Sequence, residues 1–204
     1  MVNYIVRGGW VMIPLLACSV LAVAISLERL WYLLRTRIDT EDLMEDVKLA
    51  LGQGKVLEAM QIAKRSRGPV AAIIAAGIAF YDREREEIKE HMHEVGRNEI
   101  YKMEKRMAIL EALSALAPML GLLGTVTGII RSFDIITAHQ GAANAVALSS
   151  GISEALITTA TGLIIAVPTL AIYSYLSEII DRNIAEMNKR SNELIEVLSS
   201  RGEY

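Results

Sequence analysis

Cysteine, net charge and catalytic motifs are all scarce in this sequence, and each scarcity closes off a class of protein. The lone cysteine, Cys18, excludes an intrachain disulfide. It lies inside an apolar run, which marks it as a buried, inert thiol rather than a reactive one. No CxxC and no His-Cys cluster occurs, so no metal site of the usual spacing is expected. The formal net charge of -3 gives no basis for nucleic-acid binding. Gly121 to Gly128 is glycine-rich but lacks the GK[ST] of a phosphate loop and follows no strand. No Ser-His-Asp arrangement is present either, so an enzyme has little support and no cofactor is expected.

What is present is apolar residue, in blocks. Hydrophobic residues make up 52% of the 204, with 22% charged, and the mean hydropathy is +0.34. A positive mean beside that much charge requires the two kinds to be segregated along the chain, as in a membrane protein.

The first block runs from Trp10 to Leu27, with no charge between Arg7 and Glu28. A run of about 20 apolar residues crosses a bilayer core as a helix. Basic residues follow this run (Arg29, Arg35, Arg37) rather than lead it, and no small-residue cleavage site appears, which favours an uncleaved span over a signal peptide. Trp10 and the Trp31-Tyr32 pair fall near its two ends, as interface aromatics do. Polar helices then follow: one capped at Thr40 ahead of Glu41 and Asp42, and a second marked by Val56, Met60 and Ala63. Val70 to Phe80 is apolar but too short to span, and reads as a buried helix. From Asp82 the charged, proline-free stretch reads as one long helix rising into the second span. His91 and His93 point to different sides of it and read as solvated surface.

The expected fold is therefore all-α: a three-span helical membrane protein whose long helices extend into a large cytoplasmic helical domain. The expected divisions are a short periplasmic N-terminus (1–9), span one (10–34), a cytoplasmic helical domain (35–109), span two (110–136), a periplasmic loop (137–150), span three (151–176) and a cytoplasmic helix (177–204). Nineteen of the 21 Lys and Arg lie in the 28–109 segment or the tail, and the positive-inside rule then puts the N-terminus outside and the C-terminus in the cytoplasm.

Polar residues inside spans are costly in lipid and mark functional positions. At about 100° per residue, Glu111, Ser114, Pro118, Gly121, Thr125, Gly128 and Ser132 form one polar or small stripe along span two. In span three, Glu154, Thr158, Thr161, Gly162, Pro168 and Thr169 group loosely on one side, with Thr159 rotated away. The wheel leaves two readings open. The stripes line a water or ion path, or they only let helices pack closely, as Gly124-x-x-x-Gly128 allows.

The runs APMLGLLGTVTGIIRSF and GISEALITTATGLIIAVPTLAIY resemble those of the MotA/TolQ/ExbB proton channel family, and GGWVMIPLLACSVLAVAISLERLW resembles the opening span of its ExbB-type members. The three-span layout is similar to the ExbB/TolQ branch, since MotA-type chains have four. The resemblance implies an inner-membrane homopentamer surrounding single-span ExbD- or TolR-type partners, whose membrane aspartate takes up and releases protons. The motion that follows drives a TonB- or TolA-type transducer. Among this chain's residues it implies proton-path roles for Thr125, Glu154 and Thr159. The wheel instead favours Thr158 beside Glu154. The other classes to be separated from this one are a self-sufficient small-solute or ion channel and a structural membrane scaffold.

Overall fold

The computed structural model describes residues 8–36, 39–138 and 145–199. Among them are seven α-helices and no strand: α1 (Met12–Arg35), α2 (Thr40–Gly52), α3 (Val56–Arg65), α4 (Pro69–Ala79), α5 (Arg85–Glu104), α6 (Met107–Ala138) and α7 (Ala145–Ser199). The all-α expectation is met, and three helical stretches are long and apolar enough to cross a membrane. The centre of the loop expected at 137–150, residues 139–144, lies outside the described residues, as do residues 1–7 and 200–204 of the expected termini. The chain divides into two compact units, residues 1–28 with 106–175 and residues 29–105 with 176–204.

The first unit is a three-helix arrangement of the apolar segments. Val11, Met12 and Leu15, at the start of α1, pack with Ala117 of α6 and Ala166 of α7, flanked by Leu120 and Ile165. Glu28 pairs with Arg106 at 2.9 Å, and the Gly9 backbone lies against Glu154. Those contacts make α1 antiparallel to α6 and parallel to α7. Long aliphatic side chains cover the outside, among them Ile13, Val20 and Leu27 on α1, Met119 and Leu122 on α6, and Leu156 and Ile164 on α7. Such a surface suits lipid or neighbouring apolar helices, not water. Trp10 and Trp31 are both exposed, and Cys18, expected buried, is half-buried.

The second unit is held by a core of ordinary globular kind. Apolar positions recur at helical spacing, and α2 buries Leu43, Met44, Val47, Ala50 and Leu51. The short apolar stretch after Gly68-Pro69 is α4, buried through Val70, Ala71, Ile73, Ile74 and Ile78. Pro69 opens it where no backbone donor is needed, and Gly68, at φ 102, turns the chain into it. α5 contributes Ile88, Met92 and Met103, and the last part of α7 contributes Leu176, Ile180, Met187, Leu194 and Ile195. His93 is exposed, whereas His91 stacks on Phe80 with ring centroids 3.7 Å apart.

A polar cluster built on buried Arg190 lies at the edge of this core. Arg190, 6% exposed, donates to both carboxylate oxygens of Glu193 at 3.2 and 3.1 Å and pairs with Glu186 at 3.4 Å. Lys48 reaches Glu193 at 3.2 Å from α2, and the Thr40 hydroxyl donates to Glu186 at 2.9 Å. Burial opposes the charge on Glu193, but hydrogen bonds from Arg190 and Lys48 and their charges outweigh it and hold the carboxyl below its ordinary value.

Two local expectations need correction. The α2 cap is Asp39, not Thr40: its carboxylate accepts from the Glu41 and Asp42 backbone N–H groups, which leaves Thr40 free to reach Glu186. The charged stretch after Asp82 is also not one helix with span two. It breaks at Lys105 and Arg106, where Lys105 leaves helical geometry (φ -50, ψ 128) and Arg106 is left-handed at φ 66. The ends made by the break are used: Arg29 donates to the Lys102 carbonyl in the last turn of α5 at 3.1 Å, and Arg106 pairs with Glu28.

Candidate functional site

The candidate residues of the first unit meet along a seam between α6 and α7. Small residues set its closeness. A Cβ at Gly162 would lie 2.6 Å from the Ala117 carbonyl oxygen, and one at Gly121 would lie 3.1 Å from the Thr159 Cα. A Cβ at Gly124 would overlap the Thr158 side chain, and one at Gly128 would lie 2.9 Å from the Gly151 carbonyl oxygen and 3.0 Å from the Ala155 Cβ. At the far end Gly151 leaves room for the Ser132 hydroxyl. A residue with a side chain at any of these positions would push the helices apart.

The hydroxyls divide into two groups. Thr158 is fully buried and donates to Ala155 and Glu154 carbonyls of its own helix, at 2.8 and 3.2 Å. Thr159 is half-buried and donates across the seam to the Gly121 carbonyl at 3.0 Å. Thr125, one turn along α6 from Gly121 and also half-buried, donates to Leu122 of its own helix at 2.6 Å. Ser114, Ser132 and Thr161 likewise bond backward within their helices, to Glu111, Gly128 and Ile157. Glu111 is exposed, Pro118 is half-buried and Pro168 is exposed, each within a continuous helix.

The seam thus brings Gly121, Gly124, Gly128 and Ser132 together with Thr158, Thr159 and Gly162, with Thr125 at its edge. It does not bring Glu111 or Pro168 to Glu154. Glu154 instead has a partner that sequence reasoning missed. The Arg131 guanidinium of α6 donates to its carboxylate at 3.2 Å. The signal was present, since Arg131 lies between the seam residues Gly128 and Ser132, and Glu154 directly precedes Ala155. Reading it required knowing which α7 residue lies opposite which α6 residue. Among the described residues, no group of three or more His, Cys, Asp or Glu is placed to hold a metal ion.

Fold and site together define a polytopic α-helical membrane protein whose second and third apolar helices pack backbone to backbone, with a charge pair and hydroxyls among aliphatic side chains. The chain belongs to the MotA/TolQ/ExbB proton channel family, whose profile matches residues 65–189, more than half of its length. That family comprises membrane channels rather than enzymes, and the match takes in both motif runs quoted above. The chain is 36% identical over 173 residues to the biopolymer transport protein ExbB-like 1 of Synechocystis, covering 83% of this chain and 68% of the relative. It is 31% identical over 196 residues to the biopolymer transport protein ExbB homolog of Methanothermobacter thermautotrophicus, covering 96% of this chain and 67% of the relative. It is 29% identical over 202 residues to the biopolymer transport protein exbB1 of Vibrio cholerae, covering 88% and 80%.

Proposed function

We propose that this chain is the multi-span ring subunit of an inner-membrane proton channel that converts proton motive force into mechanical work. In this reading residues 10–34, 110–136 and 151–176 span the membrane, the N-terminus is periplasmic, and residues 35–109 and 177–204 are cytoplasmic. Five copies enclose an ExbD- or TolR-type partner with a membrane aspartate, and the assembly acts on a TonB- or TolA-type transducer. Thr125 and Thr159 border the proton path, with Glu154 at its periplasmic end and Thr158 packed behind them.

One observation carries this reading. No acidic or basic residue lies between Glu111 and Arg131, between Glu154 and Glu178, or between Arg7 and Glu28. The seam nevertheless presents half-buried hydroxyls at Thr125 and Thr159. Hydroxyls order water and hydrogen-bond a carboxyl without titrating themselves, so the acid that carries the proton comes from another chain. The proton supplies about 2.3 kcal/mol per 100 mV of membrane potential.

The test is co-expression with the single-span partner gene from the same genome. A complex purifying at about 5:2, with proton-driven work lost in Thr125→Ala/Thr159→Ala and retained in an exposed-face control such as Leu122→Ile, supports the reading. Proton or solute flux by the chain alone in liposomes would instead mark a self-sufficient channel. Unchanged work in Thr125→Ala/Thr159→Ala/Glu154→Gln would mark a scaffold.

A further inference from the structure

The Arg131–Glu154 pair closes one end of the seam in an asymmetric way. The two residues flank the point where Gly128 and Ser132 of α6 press on Gly151 and Ala155 of α7. The Glu154 side chain is 16% exposed and the Arg131 side chain 68%. One carboxylate oxygen accepts from the guanidinium at 3.2 Å. The other is turned to the backbone of Gly9, where a Cβ would overlap it. Gly9 has φ 67, a conformation glycine adopts freely, so that wall stands without strain. The carboxylate is thus covered by backbone on one side and by a cation on the other.

A metal cation binds a carboxylate by exchanging its water for oxygen ligands, and it needs open space beside the oxygens. Here that space holds a guanidinium. Because Arg131 is tethered to α6, its effective concentration at the carboxylate is of order millimolar or higher, and a free ion must compete with it. A proton needs no such vacancy, since it passes between waters and hydroxyls.

We infer that Arg131 is a specificity-determining residue for the conducted ion: its guanidinium fills the cation position at Glu154, so sodium finds no site at this end of the seam. This rests on the reading above that the seam borders the ion path. It adds that this chain selects by occupying a site rather than by shaping one.

The test reads the Glu154 carboxylate directly. The full chain is reconstituted in lipid nanodiscs, and the infrared carboxylate bands of Glu154 are assigned by their loss in Glu154→Gln. Sodium chloride then replaces choline chloride at constant ionic strength. The wild-type bands are expected to stay in place. In Arg131→Gln they are expected to shift saturably with sodium, and Arg131→Lys is expected to restore indifference. Wild-type bands that move with sodium overturn the inference, and that arm needs no variant. Arg131→Gln bands indifferent to sodium, with helix content intact by circular dichroism, overturn it as well. The measurement uses the chain without partner or work, so its failure is separate from a failure to form the 5:2 complex.

Discussion

Arg106 stands apart among the described residues as a non-glycine in left-handed backbone, at φ 66. For a residue with a Cβ that conformation costs about 1–2 kcal/mol. Its guanidinium recovers part of this through Glu28 at 2.9 Å, but both side chains are more than a third exposed, and such pairs contribute about 0–1 kcal/mol. Backbone relief therefore outweighs the lost pair. Arg106→Gly is expected to be neutral or to stabilise by up to about 1 kcal/mol, and Arg106→Val to destabilise by at least as much, as read by thermal unfolding in detergent. A second residue-scale prediction concerns Glu193. Its carboxyl lies below its ordinary value in the folded chain, so its contribution is fully present above the ordinary carboxylate pKa and is lost as pH falls through the folded value. Acid titration of unfolding should show that loss in the wild type and a smaller one in Glu193→Gln. Residues of this kind were the least legible in the sequence. Asp39 and Thr40 are both good capping types side by side, and neither residue type by itself shows that Asp39 takes the cap while Thr40, inside the helix, donates to Glu186 far along the chain. Nothing near Lys105 signals a helix break by glycine or proline, because the groups that use the break, Glu28 and Arg29, come from α1.

At the scale of elements, α6 and α7 join through absent side chains. Alanine is the better helix former, by about 1 kcal/mol over glycine. At Gly124, however, its Cβ would overlap the Thr158 side chain, and overpacking of that kind costs about 1–3 kcal/mol. Gly124→Ala should therefore destabilise the detergent-solubilised protein, and Gly124→Ala/Thr158→Ala should recover most of the loss, because the second change removes the atoms in conflict. Additive losses in that double-mutant cycle would show that the two positions do not share space. The helical period of the sequence groups Gly121, Gly128 and Ser132 on one side of α6, and Thr158 with Glu154 on α7. It does not say which face the chain covers for itself. Thr158 is covered by Gly124, while Thr159, one residue on, keeps part of its surface open. That distinction depends on the register between two helices, which periodicity within each helix cannot contain.

For the whole molecule, the segregation of charge from apolar residue was the legible part: a positive mean hydropathy beside 22% charged residues requires long apolar helices, and three such stretches are found. The aliphatic surface of the first unit makes a direct prediction. Ile164, in the apolar part of α7, is 72% exposed. Ile164→Lys should raise the apparent free energy of membrane insertion by about 3 kcal/mol, measured with a glycosylation-type insertion reporter, whereas Ile164→Leu should leave it unchanged. The seam hydroxyls of Thr125 and Thr159 face outward as acceptors. Thr125 has given its proton to the Leu122 carbonyl and Thr159 has given its proton to Gly121. Each oxygen keeps only lone pairs to offer outward. In that geometry each oxygen can meet a hydrogen donor, which a water or a neutral carboxylic acid can be and a bare carboxylate cannot. In the proton-channel reading proposed above, two threonines that never ionise would therefore tell a loaded proton carrier from an empty one.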